Sequence, residues 1–283
     1  MRLCAFREYD AIATGIAIAD RVVSLDDLND ALGTDFGPDL DALLRRGQRD
    51  ALAKALEGPR VPRSGWKTGN LRFAPPLAHP PKIWGIGLNF AEHAKDLGAA
   101  APEDPGAWMR PATSLTYHGA TVRLPPGIGR VTAEAEIGVV LGKHARDLPS
   151  REAARDAVLG FVPVLDLTAE ELLLKNTRNL TRAKSYEGFC VVGPFVVTAD
   201  EWEPTPATRI VTDVDGQARE GAVAQMRHDP YELVRFFSHV FPWEPGDLLL
   251  TGTPGALPLR PGSAMSARIE GLGTLSARAA GPS

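Results

Sequence analysis

Two glutamates, Glu134 and Glu136, lie in the run AEAEIGVVLGK, which reads as a strand entering an apolar stretch. Residues two apart on a strand point to the same face, roughly 7 Å apart along the backbone. Like charges near a core are costly unless a cation or a proton neutralises them. On this pair alone, an edge strand whose polar face meets water is an equal reading. Asp166 shifts the balance, because it is a lone acid inside the apolar run GFVPVLDLTA. Three acids on two apolar strands make an all-oxygen set for a hard cation, Mg²⁺ or Ca²⁺. Such a site keeps open positions for water or a chelating ligand. Lys184, in TRAKSYEGFC, would bring three carboxylates and one divalent ion to neutrality, although alone it reads as a surface lysine.

A second candidate is His93 with Asp96, at i and i+3 on a predicted short helix and therefore on one face. A histidine oriented by a carboxylate can take a proton from water. Without further support the pair reads as a solvated helix face. The remaining histidines, His79, His118, His144, His228 and His239, have no partner pattern and read as structural or surface groups. The run TGTPGA reads equally as a glycine-rich turn and as a binding loop. GxxxxGK[ST] is absent and no strand–loop–helix unit follows, so a nucleotide site is disfavoured.

The elements that must carry these residues are mostly short. The spacing predicts a strand over Arg2–Phe6, a strand pair around Gly15–Leu25 and then helices, with Ser24 as an N-cap. Asp39–Leu56 has leucines at mostly helical spacing. Residues 59–82 hold six prolines and no sustained period, which marks a joint between a small N-terminal module and the main domain. Strand-like runs follow at Ile83–Asn89, Glu134–Gly142, Leu159–Leu167, Gly193–Thr198, Thr208–Val214 and Leu248–Thr253. Asp215-Gly216 signals a two-residue hairpin. One helix is clear, Pro230–Val240, with Asp229 and Glu232 as a capping box and Leu233, Phe236, Phe237 and Val240 as its buried stripe. Many strands with few helices and no βαβ regularity imply an α+β, mainly β, fold.

The 283 residues are 44% hydrophobic and 23% charged, which excludes disordered and fibrous classes. A net charge of −4 offers no electrostatic footprint for nucleic acid or an anionic membrane. Cys4 and Cys190 are far apart and in no metal spacing, as suits a reducing cytosol. Arg7, Glu8 and Asp10 stand where a signal peptide needs an apolar run, and no stretch approaches a membrane span. A soluble cytoplasmic protein is expected.

Six segments in order carry a resemblance: GIGLNFAEHAKDLG (85–98), EAEIGVVLGK (134–143), GFVPVLDLTAEE (160–171), AKSYEGFCVVGPFVV (183–197), EPGDLLLTGTPGA (244–256) and IEGLGTL (269–275). With these the sequence resembles the fumarylacetoacetate hydrolase family from about Lys82 to Gly273. The resemblance implies a rolled, mixed β-sandwich, commonly dimeric, with a small N-terminal α/β module. The division would be a module at 1–75 and a catalytic domain at 76–283. It further implies a divalent metal, usually Mg²⁺ with Mn²⁺ or Ca²⁺ as alternatives, on Glu134, Glu136 and Asp166. The family lysine falls on Lys184, its His-x-x-Glu on His93 and Asp96, and a threonine near the substrate on Thr253.

The sequence departs from the family on the substrate side. Leu165 replaces an asparagine, Glu170 stands where an arginine is expected, and Leu173 falls near a glutamine. Arg-to-Glu exchange removes a fork-shaped donor suited to carboxylates or oxyanions. Arg110, in place of a family lysine, is a partial compensation, and Glu187 and Gly188 stand where the family often has Asp and Thr. The expected substrate-side set is therefore Arg110, Thr253 and Glu170.

The leading functional expectation is a metal-dependent hydrolase that cleaves a carbon–carbon bond in a β-dicarbonyl or acylpyruvate-like small molecule through a stabilised enolate. His93 and Asp96 would activate water, with Lys184 beside the enolate. The alternatives on the same scaffold are a 2-oxo acid decarboxylase, a 2-keto-3-deoxy sugar-acid dehydratase, and a degenerate member that binds without turnover.

Overall fold

Val131–Leu141 and Val158–Ala169 form the central antiparallel pair, and every residue of both strands is buried. Their near-continuous Val, Leu, Ile and Ala content suits strands covered on both faces. The structure, a computed structural model, describes residues 1–8, 11–62, 64–96 and 102–282, apart from the side chains of His93 and Asp96. Among the described residues the strands form a fourteen-stranded and a five-stranded sheet, with few helices between them. The expected mainly β, α+β class is what the chain adopts.

The larger sheet continues from the central pair on one side through Leu248–Leu250, Ile83–Gly87 and Gly106–Arg110. On the other side Val158–Ala169 pairs with Val196–Thr198, which pairs with Arg2–Glu8. The N-terminal strands Ala11–Ile18 and Arg21–Ser24 extend the same sheet. Leu3, Ile16, Leu28 and Leu43 from this region share one apolar cluster with Val140, Val162 and Leu248 of the body. The five-stranded sheet, Gln217–Ala222, Arg209–Val214, Ala264–Ile269, Gly273–Ala280 and Thr121–Arg123, covers the opposite side. Ile210, Ala267 and Leu275 pack there with Ile137 and Val139, and the Thr212 hydroxyl accepts from the Ala135 amide at 2.8 Å.

Local signals resolve as their chemistry dictates. Ser24 caps the helix Leu25–Leu32 by accepting from the Asp27 amide. The Asp39–Leu56 run is two helices, Leu40–Arg45 and Arg49–Leu56, because Gly47 between them has φ +64°. Asp215 and Gly216, both with positive φ, turn Arg209–Val214 into Gln217–Ala222. Asp229 and Glu232 form the capping box of Pro230–Ser238. That helix ends earlier than expected, and Val240 is exposed rather than part of its stripe. Past Ser238 the chain makes a turn, with the Val240 and Phe241 amides donating to the Phe237 carbonyl, and Pro242 cannot extend the helix. No helix among the described residues is long and apolar enough to cross a membrane.

Candidate active site

Strand register brings the three acids together. Glu134 lies opposite Asp166 in the central pair, and Glu136 projects from the same face two residues on. One carboxylate oxygen from each of the three lies within 4.8 Å of the others, and all three residues are buried. Each carboxylate is held by a neighbour. Glu134 accepts from the Thr168 hydroxyl at 2.8 Å and from the Lys184 ammonium at 2.8 Å. Asp166 accepts from Lys184 at 2.7 Å and is also paired with the buried Arg110 guanidinium. Glu136 accepts from the backbone N–H of Gly252 at 2.7 Å.

Three elements set this second ring of contacts. Lys184 ends the short helix Leu180–Lys184, which follows the arm Glu170–Lys175. Arg110 ends the strand Gly106–Arg110 and also donates to the Phe189 carbonyl at 3.1 Å. Trp108, two residues earlier, lies with its ring centroid 4.6 Å from the Arg110 guanidinium and 5.3 Å from the Lys184 ammonium. Gly85 makes room for that indole, since a Cβ there would come within 2.2 Å of the Trp108 ring. Gly252 has φ +88°, and its turn directs the N–H at Glu136.

With all three carboxylates ionised, they face two cations and leave one negative charge in excess. Burial first, and then the Asp166 charge, push the Glu136 carboxyl well above the ordinary glutamate range. Burial works against the Lys184 ammonium, but Asp166, Glu134 and Glu136 outweigh it and hold its pKa above the usual lysine value. Three converging hard oxygen donors fit a divalent cation.

The site opens into a cavity of about 160 Å³. Glu134, Glu136, Lys184, Gly252 and Thr253 form its polar end, and the Thr253 hydroxyl donates to the Gly255 carbonyl at 3.1 Å. Arg110 lies behind Asp166 and does not line the cavity. Glu170 also stands outside it, paired with Arg130. His93 and Asp96 occupy the helix Ala91–Asp96, but their side chains lie outside the described residues. The remaining contributors, Trp108, Thr168 and the Gly252 amide, were not singled out in the sequence. Trp108 and Thr168 each stand two residues from a recognised site residue on a strand, a period-2 signal that could have found them.

This is a mainly β protein with a buried oxygen-donor site at the floor of an open cavity. Residues 82–280 match the Fumarylacetoacetate (FAA) hydrolase C-terminal family, and the chain belongs to that family. An uncharacterized protein of Pyrococcus horikoshii is 36% identical over 201 residues, covering 69% of this chain and 86% of the relative. The mitochondrial oxaloacetate decarboxylase of Dictyostelium discoideum is 32% identical over 215 residues, covering 74% of this chain and 93% of the relative. Among solved structures, maleylpyruvate hydrolase from Sphingobium sp. SYK-6, in complex with manganese (II) ion and pyruvate, superposes with a TM-score of 0.80. It is 26% identical, and each chain is covered over its full length.

Proposed function

We propose that the protein is a metal-dependent hydrolase that cleaves a carbon–carbon bond of a β-dicarbonyl or acylpyruvate-like small molecule. The observation that carries this reading is the buried Glu134, Glu136 and Asp166 triad, of which Glu134 and Glu136 line, with Lys184, a cavity of small-molecule size. A divalent ion held there, Mg²⁺ or else Mn²⁺ or Ca²⁺, would polarise paired substrate oxygens as a Lewis acid.

The chain's own groups have distinct tasks. Lys184 stays protonated between Glu134 and Asp166, so it serves as a fixed positive charge beside the developing enolate, not as a base. Arg110 fixes the Asp166 carboxylate from behind and is a positioning residue. Thr253 borders the substrate at the polar end of the cavity. Activation of water is proposed for His93 with Asp96, whose side chains lie outside the described residues. The reaction consumes one water and gives a 2-oxo acid and a second carboxylic acid.

A second reading, a 2-oxo acid decarboxylase on the same centre, is favoured by the name of the Dictyostelium relative. One experiment separates the two. The protein is assayed with Mn²⁺ against acylpyruvates and oxaloacetate, as wild type and as His93→Ala, with acid products and CO₂ measured together. Hydrolysis predicts two acids from an acylpyruvate, lost in His93→Ala while metal binding persists. CO₂ from oxaloacetate, unaffected by His93→Ala, with no acylpyruvate cleavage, would establish the decarboxylase instead. A His93→Ala variant with full acylpyruvate cleavage would refute the catalytic assignment.

A further inference from the structure

Besides the two glutamates, Lys184, Gly252 and Thr253, the cavity is lined by Ile86, Gly87, Leu88, Leu173, Leu174 and Leu180, with Thr177 among them. We infer that the substrate carries an uncharged, apolar group on the side away from its chelating oxygens, and that these leucines select it. The inference rests on the proposed 2-oxo acid chemistry and concerns which members of that class bind.

Three observations support it. First, among the described residues lining the cavity, Lys184 is the one cation, and its ammonium is committed to Glu134 and Asp166. A second carboxylate on the substrate would leave water to lie among mostly apolar side chains, with no free cation among the described lining residues to pair with it. Arg110 is sealed behind Asp166, while Lys175, Arg178 and Arg182 of the neighbouring arm are exposed and do not line the cavity. The acidic Glu170, where the family pattern has arginine, is likewise turned to Arg130 and away from the cavity.

Second, Leu174 is 58% exposed in this lining, one of the few large apolar side chains left to solvent. A leucine exposed beside a polar centre is surface that a bound apolar group would cover. Third, Leu88 has φ +57°, in the left-handed region where leucine is disfavoured and glycine is not. The adjacent Asn89 holds this conformation, donating to the carbonyls of Thr251 at 2.8 Å and His228 at 3.0 Å. The chain thus places a bulky apolar side chain on the cavity at a backbone position that would more readily accept glycine.

The test is binding and does not depend on turnover. The full chain, loaded with Mn²⁺, is titrated by calorimetry with pyruvate, 2-oxobutanoate, 2-oxopentanoate, 2-oxohexanoate and 2-oxoglutarate. Affinity should rise about fourfold per added methylene, as expected for burying CH₂ groups. 2-Oxoglutarate should bind roughly tenfold or more weakly than 2-oxohexanoate, because its distal charge is buried unpaired. Leu174→Arg, at an exposed position that leaves the core intact, should flatten the series and strengthen 2-oxoglutarate. A flat wild-type series, or 2-oxoglutarate binding as tightly as 2-oxohexanoate, would overturn this inference while pyruvate binding left the proposed chelation chemistry standing. Failure of every 2-oxo acid, pyruvate included, to bind the Mn²⁺-loaded protein would overturn both.

Discussion

Replacing Lys184 by methionine keeps most of the side-chain volume and removes one of the two cations among three buried carboxylates. The perturbation is severe because little at this position is shared with solvent. The Lys184, Glu134 and Asp166 side chains are 6%, 9% and 0% exposed. Two charge-assisted contacts, at 2.8 and 2.7 Å, disappear together. Removing one partner from a buried pair costs about 3–5 kcal/mol, because the other charge is stranded. At about 2 °C per kcal/mol for a chain of this length, the melting temperature in EDTA should fall by roughly 6–10 °C. Mn²⁺ should return more stability to Lys184→Met than it adds to wild type, because the ion then meets two excess negative charges instead of one. Occupancy at a hundred times Kd stabilises by about 2.7 kcal/mol, enough to be read in a thermal melt. Equal melting temperatures for the two proteins in EDTA would refute the charge count on which the centre is built.

Other consequences can be checked with simple measurements. Gly252→Ala should lower stability by about 1–2 kcal/mol in urea, since its φ of +88° disfavours any side chain and a Cβ would meet Asn89 at 3.1 Å; an unchanged midpoint would contradict the assignment. Cys4 and Cys190 are buried, and burial pushes their thiols up to about 12 and about 11. Neither should react with a thiol reagent at pH 8 until the protein unfolds, and prompt labelling of the native chain would show that burial to be wrong. Burial also raises the Asp41 carboxyl, and its Oδ1 finds no partner among the described residues. Its folded pKa exceeds the unfolded one, so stability present at low pH is lost as pH rises through the folded value. Asp41→Asn should therefore gain on wild type between pH 4 and pH 8 in urea melts, and a pH-independent difference would count against it.

How far the sequence spoke for the structure varies with the range of the interaction. Period-2 spacing put Glu134 and Glu136 on one face, and a lone acid in an apolar run singled out Asp166, both local signals. Asp229 as a cap and Asp215-Gly216 as a turn were legible for the same reason. The register that sets Glu134 against Asp166 spans 32 positions and is decided by packing of the whole sheet, which no local pattern encodes. Arg110 reaches Asp166 across 56 residues, so its commitment to the triad could not be read from the strand it ends. The apolar lining was hidden similarly: Leu88 and Leu173 are far apart in sequence and come to one cavity only because their elements border it. Arg2–Glu8 pairs with Val196–Thr198, and the proline-rich run at 59–82 gave no sign that the N-terminal strands extend the larger sheet.

The most direct test of the metal centre is a calorimetric titration of wild type and Glu134→Ala/Glu136→Ala with Mn²⁺ and Mg²⁺. Saturable binding by wild type, lost in the double variant while its fold persists by circular dichroism, is the expected result. Equal binding by both proteins, or none by wild type even with oxalate as a chelating mimic, would contradict a metal centre on Glu134, Glu136 and Asp166.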